Sequence, residues 1–246
     1  MKRLLTFTSL LAIGAYSVPA SADVIGASAS ATLWPGSISG QVRKDGDRVD
    51  LEDDLGLDDE TYWSLEAAIE HPVPVLPNLR LAYYNMEHSG TGNTSVANFG
   101  GISLNGDVET DLDLSHYDVT LYYELLDNWV NLDAGLTGKV FNGELVVRDK
   151  TTGQTDRTDI DAILPMIYGH ARFDLPFTGW SVGVQGNGIS FDGDSAYDIA
   201  GYVNYSVTVL DVQAGFREMA VDAEDINDAD VDATVNGPYL KVGVDF

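Results

Sequence analysis

Thirty-nine carboxylates, thirteen Lys and Arg, four histidines and no cysteine set the chemistry open to this 246-residue chain. Without a thiol, cysteine nucleophiles, disulfides and cysteine-ligated zinc are excluded. The histidines are His71, His88, His116 and His170. An acyl-transfer enzyme would need one of them between a serine and an acid at hydrogen-bond distance. A peptidase of the aspartate–histidine kind would need its pair in an outward-facing cleft. His88 beside Glu87 comes nearest to that, but so many acids make chance neighbours easy, and no G-x-S-x-G stretch is present. No catalytic residue is assigned.

The acids are concentrated. Asp45, Asp47, Asp50, Glu52, Asp53, Asp54, Asp58, Asp59 and Glu60 crowd one stretch against Arg48, and Glu224, Asp225, Asp228, Asp230 and Asp232 crowd another. Such density suits hard cations, but "DGDRVDLEDD" lacks the ordered D-x-D-x-D-G-x5-E spacing and "FDGDSAYD" matches it only in fragments. The expectation is a solvated, self-repelling surface with no cofactor and no defined metal site; weak calcium or magnesium binding is the alternative. A net charge of −26 also excludes nucleic acid as a partner, because phosphates call for Lys and Arg. "VGVQGNG" (Val182 to Gly188) is no phosphate loop, since no helix follows; glycine inside a strand marks a bend or close packing.

What must position these residues is written in a period of two. In "TYWSLEAAIEH", Trp63, Leu65, Ala67 and Ile69 alternate with Ser64, Glu66, Ala68 and Glu70. "HYDVTLYYEL", "ILPMIYGHARFDL" and "DVQAGFR" alternate likewise, which predicts strands with one apolar and one polar face. The connections alternate too. Short ones fall at His71–Asn78, Leu125–Asn128, Leu175–Gly179 and Val207–Asp211; long polar ones at Pro35–Glu60, Ser89–Thr110, Asn142–Thr158 and Ala223–Asp232. Asp192–Ser195 falls on the long side but is short. Ten strands result, near 24–34, 61–71, 79–88, 111–125, 129–141, 160–174, 180–191, 196–206, 211–221 and 233–246.

An even set of antiparallel strands, with tight turns on one side and larger loops on the other, predicts an all-β, up-and-down transmembrane barrel. Ten strands fit best, with eight or twelve as alternatives and a soluble β-sandwich as a competing architecture. Trp63, Tyr83, Tyr117, Tyr123, Trp129, Phe173, Trp180, Tyr205 and Phe246 fall near strand ends, where membrane-interface aromatics belong. "MKRLLTFTSLLAIGAYSVPASA" has the basic start, apolar stretch and small-x-small end of a secretory leader, predicting cleavage before Asp23 and one domain over 23–246. A barrel leaves no sheet edge, so the final "YLKVGVDF" must pair with the first strand.

"DVIGASASATLW", "VDLEDDLGLDDE", "HPVPVLPNLRLAY" and "GPYLKVGVDF" together resemble a little-characterised proteobacterial family of small, monomeric outer-membrane β-barrel proteins. The resemblance implies a fold and a place: the outer membrane of a Gram-negative bacterium, its lipid and lipopolysaccharide, and an assembly machinery that reads the aromatic-ended last strand. It transfers no catalytic residues.

Parity then assigns the lumen. If Val242, Val244 and Phe246 face lipid, the interior receives Glu66, Glu70, Arg80, Asp118, Glu124, Asp133, Lys139, His170, Arg172, Asp198, Arg217, Lys241 and Asp245. Buried charges are costly unless paired, and acids and bases nearly balance here, so the expectation is a cross-linked interior. Ten strands lie close to the size at which side chains fill a barrel. The expected role is structural, with acidic loops at the surface; a narrow, cation-leaning diffusion channel is the alternative, and an enzyme acting on lipid or peptide a remoter one.

Overall fold

The computed structural model describes residues 25–44, 47–226 and 229–246; the stretch expected to be a leader (1–22), Asp45 and Asp228 lie outside them. The described chain is all strand and turn. In order the strands are β1 (Gly26–Lys44), β2 (Asp47–Asp50), β3 (Glu60–Glu70), β4 (Asn78–Asn85), β5 (Glu87–Phe99), β6 (Ile102–Asp113), β7 (His116–Asp127), β8 (Val130–Asp149), β9 (Thr155–Asp174), β10 (Trp180–Phe191), β11 (Asp194–Val207), β12 (Leu210–Ile226) and β13 (Ala229–Asp245).

Ten of them form a closed antiparallel ring in the order β1, β3, β4, β7, β8, β9, β10, β11, β12, β13 and back to β1. The ring shuts where Leu33 faces Leu240 and Ser28 faces Asp245. Phe246 extends the seam, its N–H donating to the Ala27 carbonyl at 2.9 Å while its own carbonyl accepts from Ala27. All four expected short turns lie at one end of the ring, here the turn end; the opposite end is the loop end.

The polar connections at the loop end are a correction to the sequence reading. Pro35–Lys44 continues β1 and folds back as β2; Ser89–Thr110 is mostly the β5–β6 hairpin; Asn142–Thr158 and Ala223–Asp232 largely extend β8, β9, β12 and β13. Above the apolar band the alternation goes on, but the outward residues there are charged. A segment such as "SLNGDVETDLD" therefore scores as polar although Leu104, Val108 and Leu112 all point inward and are buried. β6 pairs with the upper part of β8, so β5, β6, β8 and β9 form a wall rising beyond the ring.

Outward-facing apolar residues form the band. On β9 it runs from Ile163 to Phe173, with Asp161, Asp159 and Arg157 beyond it. Ten residue steps of about 3.4 Å, tilted by about 40°, give ~25 Å, the height of a barrel's lipid-facing band. The aromatics named above separate into two groups along it. Toward the loop end, Trp63 and Tyr83 lie 5.5 Å apart and Tyr83 and Tyr117 4.9 Å. Toward the turn end, Trp129 meets Phe173 at 5.3 Å and Trp180 meets Tyr205 at 4.7 Å. Tyr123 donates its hydroxyl to the Val75 carbonyl at 3.2 Å, and Phe246 is exposed beside Ala27.

Candidate functional site

The interior has two storeys of opposite character. The lower, nearer the turn end, is polar. Lys139 is 2% exposed and places its ammonium 2.9 Å from Asp118 Oδ2, 3.2 Å from Asp198 Oδ2 and 3.0 Å from His116 Nε2. His116 Nδ1–H donates to the Leu114 carbonyl at 2.8 Å, so Nε2 is free to accept. Arg217 grips Asp198 with two parallel bonds of 2.8 and 2.6 Å, a fork geometry that lysine cannot offer. Its guanidinium is sandwiched between the rings of Trp34 (4.7 Å) and Tyr84 (4.3 Å).

A second set continues below. Lys241 reaches Glu66 at 2.7 Å, Arg80 donates to the Tyr168 hydroxyl at 2.6 Å, and Tyr122 donates to Glu70 at 2.7 Å. Thr120, Thr137 and Asn187 bond in series across the lumen at 2.8 and 2.6 Å. Nearest the turn end, His170 donates from Nδ1 to Asp133 at 2.7 Å and accepts from Tyr202 at 2.7 Å, while Arg172 pairs with Asp174 at 3.0 Å. Glu124, opposite Asp133 in the register, and Asp245 stand exposed at the turn-end mouth. Between Glu66, Arg80, Asp118, Asp198 and Arg217 lies a void of about 30 Å³, the share of one water molecule.

The upper storey is apolar. Trp34, Ile38, Val42, Phe99, Leu104, Val108, Leu112, Leu145, Val147, Met219 and Val235 form one cluster. The acidic stretch roofs it. In "VDLEDDLGL", Val49, Leu51, Leu55 and Leu57 are all buried, turned down onto the barrel, while the carboxylates work locally. Asp50 accepts from the N–H groups of Glu52 (3.0 Å) and Asp53 (2.9 Å), and Asp54 from the Asp50 N–H and the Thr94 hydroxyl, both at 2.9 Å. Asp47 accepts from the Asn98 N–H at 2.8 Å. The roof lies flat against β5 because Gly90 and Gly92 allow it: a Cβ on Gly92 would come within 2.0 Å of the Asp54 carbonyl. Lys44 fastens β1 to the far wall, bonding Asp156 at 2.8 Å and Thr158 at 2.6 Å on β9.

The four histidines are thus accounted for. His71 accepts at its ring from the Val73 N–H and bonds the Pro77 carbonyl in a turn; His88 is buried under the roof, accepting from Tyr62 at 2.9 Å with the Asp58 backbone on its other side. The Asp133–His170 pair lies deep in the lower storey, away from any outward cleft. Among the described residues, no group of three or more His, Asp or Glu is placed to hold a metal ion. Sequence reasoning missed the inward aromatics Trp34, Tyr84 and Tyr202 and the roof leucines. The aromatics share the parity of the lumen charges, which was the available signal.

No protein-family model matches the chain, and no curated protein is similar to it in sequence. Solved structures resemble it in fold. The outer membrane protease OmpT from Escherichia coli has a TM-score of 0.55 and 11% identity, covering 90% of this chain and 97% of its own. Ail, the attachment invasion locus protein of Yersinia pestis, solved with the heparin analogue sucrose octasulfate, gives 0.38 at 12% identity, covering 90% and 99%. This chain has the fold of an outer-membrane β-barrel. At 11% identity the likeness to OmpT is one of fold alone.

Proposed function

We propose that the chain is an integral outer-membrane barrel protein of a Gram-negative bacterium, sealed across its lumen, with a structural and surface role. In this reading the leader at 1–22 directs export, residues 23–246 form one monomeric domain, and the loop end faces outward among lipopolysaccharide. The assembly machinery engages β13 and its terminal Phe246. The observation that carries the sealed reading is the side-chain network centred on Lys139, Asp198 and Arg217, which crosses the lumen beside a void of about 30 Å³. The apolar band and its two aromatic groups support the membrane setting, since no soluble fold gains from showing so much hydrocarbon.

Planar-bilayer recording of the refolded protein tests the seal. Silence is expected; discrete, salt-dependent steps would put the narrow cation-leaning channel in its place. The membrane setting is tested separately by cell fractionation and by the heat-induced mobility shift of a barrel on gels. A protein folded and monomeric in plain buffer would sink it.

A further inference from the structure

The upper storey contains a cavity of about 400 Å³, walled by Ile38, Phe99, Leu145, Ile160, Met219 and Val235 among other apolar residues. Cavities of this size fall in the ordinary range for small-molecule sites. An apolar cavity near 150 Å³ holds benzene, so this one holds a molecule of roughly 15 heavy atoms. Among the described residues the single base in its lining, Lys44, is already paired with Asp156 and bonded to Thr158. Asp159, Asp161 and Asp194 also border it. A carboxylate would meet like charge with no vacant base to offset it, and an uncharged molecule would meet neither cost.

The wall beside this cavity is notched. β9 and β10 pair only up to Ile167 opposite Gly188. Beyond that level β10 pairs only with β11 and turns back at Asp192–Gly193, a two-residue loop with φ of 54° and 106°, the left-handed pair that a type I′ turn requires. β9, in contrast, continues to Thr155, paired with β8 alone. Pro165, two residues past the last β9–β10 pair, has no N–H to leave unbonded at this new edge. The notch starts at the loop-end margin of the apolar band: Ile163 and Ile167 are 71% and 72% exposed on the lipid-facing side, and Phe191, in the cavity lining, is 79% exposed at the sill. Apolar side chains on both sides of the notch, Ala162 and Leu164 on β9 and Ile189 and Phe191 on β10, therefore lead from the outside of the barrel to the cavity.

We propose that the roofed cavity is a binding site for an uncharged, hydrocarbon-like molecule, admitted sideways through the notch between β9 and β10. The lateral route rests on the membrane reading above; the cavity itself does not. The test uses N-phenyl-1-naphthylamine, an uncharged fluorescent probe of suitable size, with protein in lipid nanodiscs. Wild-type protein is expected to give saturable one-to-one binding above the lipid background, displaced by dodecanol at concentrations at least tenfold below those needed with dodecanoate. Ala196→Phe and Ala233→Phe, which fill the cavity, should weaken binding at least tenfold in protein that still shows the heat-induced mobility shift. Phe191→Asp, at an exposed position that the fold does not need, should weaken it severalfold. Unchanged binding in all three variants, or no saturable component in the wild type, overturns the site.

For the route, Pro165→Cys with Ser190→Cys continues the lapsed register. Oxidation to the disulfide should slow probe uptake at least tenfold relative to the reduced protein, with the same final occupancy. Equal rates in the two redox states would overturn lateral access while leaving the site standing.

Discussion

The two storeys use the interior of one ring by opposite means. The lower is filled with charge and held by pairing; the upper is walled with hydrocarbon and roofed over a cavity. In the lower, several partners follow strand register: Asp118 lies directly opposite Lys139, Asp133 opposite His170, and Arg217 reaches Asp198 on the diagonal. In the upper, residues far apart in sequence converge, since the roof over β1 and β12 comes from residues 49–57 and rests on β5. A paired network tolerates little loss, because its charged members are one another's counter-charges. A lidded apolar chamber can lose volume locally without disturbing its neighbours.

The sharpest way to break this contrast is to remove a charge from the lower storey. Lys139→Ala leaves Asp118 and Asp198 close together and deprived of their shared ammonium, at a cost of about 3–5 kcal/mol. Urea-driven unfolding in lipid should show it. Adding Asp118→Leu to Lys139→Met should recover a large part of the loss, a coupling that a merely steric defect would not produce. In the upper storey, Leu55→Ala should cost about 2–5 kcal/mol. The loss should be confined to the roof, read as proteolysis and amide exchange over residues 49–59 with the barrel's own unfolding unchanged. Gly92→Ala forces the roof off β5 and should cost about 1–3 kcal/mol by the same readout.

The smallest effect concerns pH. Burial under the roof holds the His88 ring below its ordinary range, against the pull of Glu60 and the other acids nearby. The released roof takes up a proton below about 6.5, the ordinary histidine value, and the closed roof resists it. Roof stability is therefore full above that pH and declines as pH falls beneath it. His88→Gln should flatten the rise in protease nicking between pH 7.5 and 5.

Ten barrel strands and the inward parity were legible because hydrocarbon on one side and an enclosed interior on the other impose alternation residue by residue. The roof was not. Its leucines at 51, 55 and 57 are outnumbered by the acids among them, and a strand whose outer face meets water has no composition to separate it from a loop. Parity also names the lumen residues without naming their partners: that Lys241 meets Glu66, or Lys44 meets Asp156, depends on the stagger of the ring, which no local pattern encodes. One local signal was plain. Asp192–Ser195 stood out as the short connection on the long side, and its Asp192–Gly193 turn cuts the notch.

The seam between β1 and β13 has a consequence for how the molecule comes to exist. Its partners, Ser28 with Asp245 and Leu33 with Leu240, lie at opposite extremes of the described chain, so loop-closure entropy opposes that pairing more than any hairpin. Until it forms, the growing sheet carries two naked borders able to recruit another chain. Strong negative charge makes such half-made rings repel one another, so the same carboxylates that cap the finished lid also oppose association before there is one.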